Sequence, residues 1–296
     1  MSCGQIALNK LGIEYENFYS SEIDKNAKRV TQHNFPNTIQ IGDVTQIKGE
    51  NLPKIDLLIG GSPCQGFSFS GKGLNFEDPR SKLFFEFVRL VKETKPRYFL
   101  LENVKMKKEY EQVITDYLGV EPIEINSSLV SAQNRVRLYW TNIPNIQQPE
   151  DKGIGLIDIL EDDEKINPGA IRGRNLNKAT ILGRRLNEEG KREDYNMSIP
   201  ITQCLEVRAT NTNKSNCLTT VAKDNVLTTM PIGRHPDAFN KKLPFRYYTS
   251  KEYCRLQTVP DDYFDGVASE NQIRKMIGNG WTVDVIAHIF KNMESL

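Results

Sequence analysis

The first half of the chain alternates between two hydrophobic periods. Ile6, Ala7 and Leu11 fall on one face of a helix predicted over residues 3–11, with Gly12 at its end. Residues 15–20 read as a strand ending at Glu22-Ile23-Asp24, and a helix follows over 25–33. Residues 38–41 form a short strand leading into Gly42-Asp43-Val44, and the apolar run from Ile55 to Ile59 is the next strand. Asp78-Pro79 has the form of a helix cap followed by proline at the first helical position. Leu83, Phe84, Phe87, Val88 and Val91 then repeat at helical spacing. Residues 97–101 read as a strand ending at Glu102, 110–118 as a helix, and 121–127 and 136–143 as two further strands. Strands alternating with helices predict an α/β protein with a doubly wound, Rossmann-like sheet.

The pattern changes after Pro144. Alternation fades, and Asn, Arg and Gly become more frequent up to about Lys242. Between Lys165 and Lys214 the chain carries ten Lys or Arg and five Asp or Glu, although the net charge of all 296 residues is only +1. A nucleic-acid-binding face is therefore local and not a property of the whole chain. Order returns with a helix predicted over 247–258 and an amphipathic final helix over 284–293. The expected division is 1–143, then a smaller lobe at 144–243, then a segment at 244–296 that returns to the first.

The five cysteines are Cys3, Cys64, Cys204, Cys217 and Cys254. None forms a C-x-x-C pair, which argues against a zinc site and against a disulfide framework, and suits a reducing cytoplasm. His33, His235 and His288 lack ligand-like spacing, so no metal is expected. No apolar run approaches the roughly 20 residues of a membrane span, and the N-terminus lacks a signal-peptide pattern.

Gly60-Gly61-Ser62-Pro63-Cys64-Gln65 is the stretch that carries chemistry. Glycine relaxes the backbone and proline fixes φ, so the strand at 55–59 must turn sharply there. The turn presents Cys64 at the carboxyl end of a strand, where open α/β sheets carry their ligand crevices. Burial as a small hydrophobe is the usual fate of a free cysteine, but a core strand does not end in this sequence. Arg135 and Arg137 are two apart at the start of a strand, so period-two geometry points both to one side of the sheet.

Pro63-Cys64-Gln65, then Glu102-Asn103-Val104, then Gln133-Asn134-Arg135-Val136-Arg137 resemble, in order, the motifs of the DNA cytosine-5 methyltransferase family. The resemblance runs over nearly the whole chain. Met1-Ser2-Cys3-Gly4 and Leu138-Tyr139-Trp140 are similar to small bacterial and phage members that look like animal de novo methyltransferases.

The resemblance implies a DNA (cytosine-5-)-methyltransferase in the cytoplasm of a bacterial or phage-infected cell, acting as a monomer on double-stranded DNA. Cys64 would attack C6 of a flipped-out cytosine as a thiolate, activating C5 toward a methyl group. Glu102 would meet N3 of the base, and Arg135 and Arg137 would hold its O2, the Cys64 region and Glu102. The implied cofactor is S-adenosylmethionine. Glu22 would grip its ribose, Ile23 would pack on adenine, and Asp43 with Val44 would meet the adenine amino group. Ser2, Cys3, Gly4, Pro63, Leu83, Asn279 and Gly280 match further cofactor contacts, the last two within Gly278-Asn279-Gly280-Trp281. Residues 66–81, with Lys72 and Arg80, suit a loop that closes over a substrate. The lobe at 144–243 would be a target recognition domain, with Arg172, Arg174, Arg184, Arg185 and Arg208 as candidates for phosphate or guanine contacts. Lys214 to Thr220 resembles a segment found near this boundary in the family.

One departure stands out. Family members open on a strand and a Phe-x-Gly turn, whereas this sequence opens just past the position of that turn. The expectation is a chain numbered from an internal methionine, with a sheet lacking a central strand and two edges unpaired. Two other functions fit the same residues: a DNA-binding homologue with impaired catalysis, favoured by the missing strand, and a tRNA cytosine-5 methyltransferase on the same fold. The intact Cys64, Glu102, Arg135 and Arg137 argue against the first, and the basic lobe argues for duplex DNA over the second.

Overall fold

The computed structural model describes residues 1–61, 82–161, 177–208 and 213–294. In chain order its first elements are α1 (Cys3–Lys10), β1 (Tyr19–Ser20), α2 (Lys25–Asn34), β2 (Ile39–Gln40), β3 (Leu57–Gly61) and α3 (Lys82–Thr94). There follow β4 (Tyr98–Val104), α4 (Lys108–Leu118), β5 (Ile123–Asn126), β6 (Val136–Thr141), β7 (Asn177–Arg184) and β8 (Thr202–Val207). The chain closes with β9 (Val226–Thr228), β10 (Gly233–His235), β11 (Phe245–Tyr247), α5 (Ser250–Leu256), α6 (Glu270–Asn279) and α7 (Val283–Phe290).

These elements form two compact units. The first joins Met1–Val130, Arg135–Gly153 and Trp281–Leu296, and the second joins Ser131–Asn134 to Ile154–Gly280. In the first, β3 and β4 run parallel, and β6 is antiparallel to both β4 and β5, in the order β3-β4-β6-β5. The strands β1 and β2 form a separate parallel pair. Among the described residues, β3 pairs only with β4 and β1 only with β2, so the parallel strands lie in two sheets.

Strand β4 is apolar from Tyr98 to Leu101 because both of its faces are covered. Phe99 and Leu101 pack with Leu138 and Trp140 of β6 against Phe84, Phe87 and Val88 of α3 and Ile114 of α4. The helix breaks follow local chemistry. Asp24 caps α2 by accepting from the backbone of Asn26 at 2.8 Å and Ala27 at 3.4 Å. Gly119, at φ 72°, ends α4 in the left-handed conformation that glycine tolerates. The nearly all-apolar α7 lies against α1, and its one buried carboxylate, Asp284, pairs with Lys10 and, at 2.7 Å, with Lys152.

The second unit holds a five-stranded antiparallel sheet in the order β10-β8-β7-β9-β11. Ala179, Ile181, Leu205, Val207 and Val226 form its core with Ala238. The sequence pattern predicted no strand here, and three of the five strands are only three residues long, shorter than a periodicity window can register. Thr249 and Glu252 form a reciprocal cap that starts α5.

The units divide the chain differently from the expected boundaries. Residues 244–280 belong with the antiparallel sheet, and only Trp281 onward returns to the parallel strands. Buried polar groups explain this. Gln133 donates to the Leu256 carbonyl at 2.6 Å and to Gln257 Oε1 at 2.9 Å, while its own oxygen accepts from the Leu218 backbone at 3.2 Å. Gln257 in turn donates to the carbonyls of Ile277 at 2.9 Å and Gly280 at 3.1 Å. Both glutamines are fully buried, where an unmet amide costs about 1–3 kcal/mol, so α5, α6 and the 214–218 segment hold together around them.

Candidate active site

The first unit brings Glu102, Arg135 and Arg137 into one buried cluster. Gly61 ends β3 directly opposite Glu102 of β4, and Glu102 lies opposite Tyr139 of β6. Glu102 thus stands near the carboxyl end of two parallel strands, with β4 running on to Val104, past the predicted strand end. Only 8% of Glu102 is exposed. Its Oε1 is 3.0 Å from Arg137 Nε, and its Oε2 accepts from Trp281 Nε1 at 3.1 Å. Register explains the pairing with Arg137, because Val104 lies opposite Arg137 and shares a face with Glu102. Arg135, also buried, enters β6 with its backbone N–H on Asn126 Oδ1 at 3.0 Å.

Burial raises the Glu102 carboxyl above the usual carboxylate range, and the charges of Arg137 and Arg135 with the Trp281 hydrogen bond oppose it. The neighbouring Tyr139 phenol is pushed far above its ordinary value by burial and by the Glu102 charge. Cys3 of α1 also faces this cluster. Burial raises its thiol, while a backbone hydrogen bond from Trp281 and the charge of Arg135 act against that rise. A buried thiol of raised pKa is a poor nucleophile, so Cys3 is packing in this cluster.

The loops that follow β1 and β2 carry the two acidic residues expected to hold a nucleoside. Ser21 Oγ donates to the Gly42 carbonyl at 2.8 Å and ties one loop to the other. Glu22 Oε1 accepts from the backbone of Ile23 and of Asp24, both at 2.8 Å. Ile23 is 73% exposed, an apolar surface beside that carboxylate. Asp43 Oδ1 caps a short turn at Val44 through the Thr45 N–H and hydroxyl, each at 2.9 Å. Two carboxylates and an exposed isoleucine at the carboxyl ends of two parallel strands fit a ribose, an amino group and an aromatic base.

At the start of α1, Ser2 adopts a left-handed conformation, with φ 57°, and its hydroxyl turns to Gln5. A Cβ on Gly4 would lie 2.2 Å from Ile59 Cδ1, so the missing side chain lets α1 sit directly on β3. Leu83 is half-buried in the first turn of α3. Asn279 and Gly280 end α6 in the second unit, one residue before the chain crosses to Trp281.

The second unit places the arginines unevenly. Arg184 Nε is 2.8 Å from Glu206 Oε1 and its NH1 is 3.3 Å from Asp194. Arg185 donates to the Ile199 carbonyl at 2.8 Å. Arg208 has a side chain 75% exposed, with a 3.4 Å contact to Glu206 among the described residues. Arg234, which the sequence did not single out, donates to Glu206 Oε1 at 3.0 Å. Pro63, Cys64, Lys72, Arg80, Arg172 and Arg174 lie outside the described residues.

Three site residues could not be picked out from sequence. Trp281 was visible only as part of a motif, Ser21 carried no signal, and Glu206 is a lone acid in a basic stretch whose meaning depends on the register of β7, β8 and β10. Among the described residues, no three His, Cys, Asp or Glu side chains gather as a metal site. No helix there is long and apolar enough to cross a membrane.

Comparisons with known proteins point one way. A family model described as C-5 cytosine-specific DNA methylase matches residues 2–295. A type II methyltransferase of Lactococcus lactis subsp. cremoris, M1.ScrFI, is 30% identical, over 93% of this chain and 71% of its own. M.NlaX of Neisseria lactamica is 30% identical, over 94% of this chain and 88% of its own. An orphan methyltransferase of Bacillus phage rho11s is 35% identical over 203 residues, which span 62% of this chain and only 40% of the phage protein. A crystal structure of a Spodoptera frugiperda DNMT2 mutant shares the fold, with TM-score 0.64 and 23% identity, over 98% of this chain and 96% of that one. The S. pombe Dnmt2 structure does so with TM-score 0.62 and 16% identity, over 97% and 94%.

Proposed function

The chain belongs to the C-5 cytosine-specific DNA methylase family, and from that premise we propose that it methylates C5 of cytosine in duplex DNA through a covalent Cys64 adduct. The observation that carries this reading is the buried Glu102–Arg137–Arg135 cluster opposite the end of β3, three residues before Cys64 in the chain.

In the proposed reaction the Cys64 thiolate bonds to C6 of a cytosine swung out of the duplex. The electron pair of the C5–C6 double bond moves into the ring, and N3 takes a proton or hydrogen bond from Glu102. A carboxyl group raised by burial is suited to that donation. Arg135 and Arg137 balance negative charge around the base and hold Glu102 in place. S-adenosylmethionine supplies the electrophilic methyl group. Glu22 and Asp43 would hold its ribose hydroxyls and adenine amino group, with Ile23 against the adenine face. After methylation C5 loses its proton to a base, N3 returns its proton to Glu102, the C6–S bond breaks, and the thiolate and the neutral aromatic ring are restored.

Tritiated methyl transfer onto duplex DNA and onto tRNA tests the reading. Wild type should label DNA, and Cys64→Ser should not, because the hydroxyl is far less acidic than the thiol. Duplexes carrying 5-fluorocytosine should trap wild type covalently, since fluorine cannot leave as a proton does. Labelling of tRNA alone would change the substrate, and full activity in Cys64→Ser would sink the adduct.

A further inference from the structure

Glu102 is held at both carboxyl oxygens, and the two holders differ in charge. Arg137 Nε lies 3.0 Å from Oε1, and the Trp281 indole N–H reaches Oε2 at 3.1 Å. The indole fits there because Gly61 lacks a side chain. A Cβ on Gly61 would sit 3.1 Å from Trp281 Nε1 and 3.3 Å from Glu102 Oε2, tighter than such contacts ordinarily are. Gly61, Glu102 and Trp281 therefore meet at one point, contributed by β3, β4 and the segment leading into α7.

The two oxygens are not equivalent for a proton. Oε1 faces a permanent cation, which repels a proton there. Oε2 faces a neutral N–H donor. That bond uses one lone pair and leaves the other position on the oxygen for a proton that can be donated onward. An O–H that also accepts a hydrogen bond is a stronger donor, because the two bonds polarise each other.

We infer that Trp281 is a positioning residue that orients Glu102 and, with Arg137, confines the carboxyl proton to Oε2, beside Gly61. Among the described residues, the titratable and charged groups that act on Glu102 are Arg137 and Arg135 at β6, Tyr139 on β6 and Cys3 on α1. Burial keeps Tyr139 and Cys3 neutral, so the two arginines supply the charge. The positioning inference stands on the geometry alone. Its catalytic consequence rests on the proposed function.

The test is the titration of Glu102 in the unliganded protein, read by infrared difference spectroscopy as the carboxylic acid C=O band that Glu102→Gln removes. Trp281→Phe keeps an aromatic ring and deletes the N–H. That loss takes away a bond favouring the carboxylate, so the acid band should persist to higher pH than in wild type. Gly61→Ala leaves Trp281 in place but presses on both atoms, and should move the band in the same direction. Under the proposed chemistry, methyl transfer by Trp281→Phe should fall about tenfold in kcat. Its loss of activity with rising pH should shift upward together with the band. A band that titrates at the wild-type pH in both variants overturns the inference. A shifted band combined with undiminished methylation by Glu102→Gln would instead overturn the catalytic reading of Glu102, and the positioning role would stand.

Discussion

Gly278 of α6 lies against the backbone of Thr219 so closely that a Cβ there would be 2.5 Å from both the Thr219 carbonyl carbon and its oxygen, and 2.8 Å from Thr220 N. The segment from Lys214 to Thr220, which resembles a family element by sequence, is thereby locked to the helix that ends in Asn279 and Gly280. The contact is backbone against backbone, so no side chain can rotate away.

Gly278→Ala should therefore destabilise the protein by about 3 kcal/mol, measured as a lower denaturation midpoint. Gly4→Ala is the control. It would meet only the flexible end of Ile59, and both glycines are helical, so both substitutions gain the same helix propensity of roughly 0.5–1 kcal/mol. Gly4→Ala should cost less than about 1 kcal/mol. Equal losses in the two variants would show that backbone contact is not what demands glycine at 278.

The Glu206 carboxyl should set an acid limit on the second unit. Burial works against its charged form, but hydrogen bonds and charge from Arg184 and Arg234 outweigh that and hold it down to about 2, from an ordinary 4.5. A depressed carboxyl contributes stability that is full above the unfolded value and lost as pH falls through the folded one. The contribution, roughly 3 kcal/mol at most, should be complete above pH 4.5 and vanish toward about pH 2. Glu206→Gln should lower neutral-pH stability and remove that slope, which urea titrations at several pH values would reveal.

If the second unit binds duplex DNA, its arginines should divide by exposure. Arg208, with its side chain 75% exposed, should lower the slope of log affinity against log salt by about 1 when replaced by alanine. Arg184, 14% exposed and bonded to Glu206 and Asp194, should cost stability and leave the slope unchanged. A reduced slope in Arg184→Ala would mean its guanidinium leaves Glu206 to reach phosphate.

Cofactor affinity should depend on the tie between the β1 and β2 loops as well as on the acids they carry. Glu22→Ala and Asp43→Ala should each weaken S-adenosylmethionine binding about tenfold. Ser21→Ala, which only releases the Gly42 carbonyl, should weaken it about threefold. Calorimetry showing unchanged affinity for all three would move the nucleoside site elsewhere.

Local chemistry in the chain determined much of this molecule. The strand running into Gly61, the place of Glu102 near the end of β4, the arginines two apart at 135 and 137, and the helices expected at 25–33 and 110–118, found at 25–34 and 108–118, all follow from periodicity and turn residues within a dozen positions. Tertiary structure decided the rest, because it depends on pairings far apart in sequence. Trp281 reaches Glu102 across 179 residues, and only the missing Cβ of Gly61 leaves room for it. Glu206 gathers Arg184 and Arg234 through the register of three strands, none of which was evident in the hydrophobic pattern. The boundary after α6 was equally illegible: Gln133 and Gln257 bury side-chain amides that only each other and distant backbone groups can satisfy. Hydrogen bonds of that kind leave no periodic mark in a sequence, since a buried glutamine and an exposed one are the same letter.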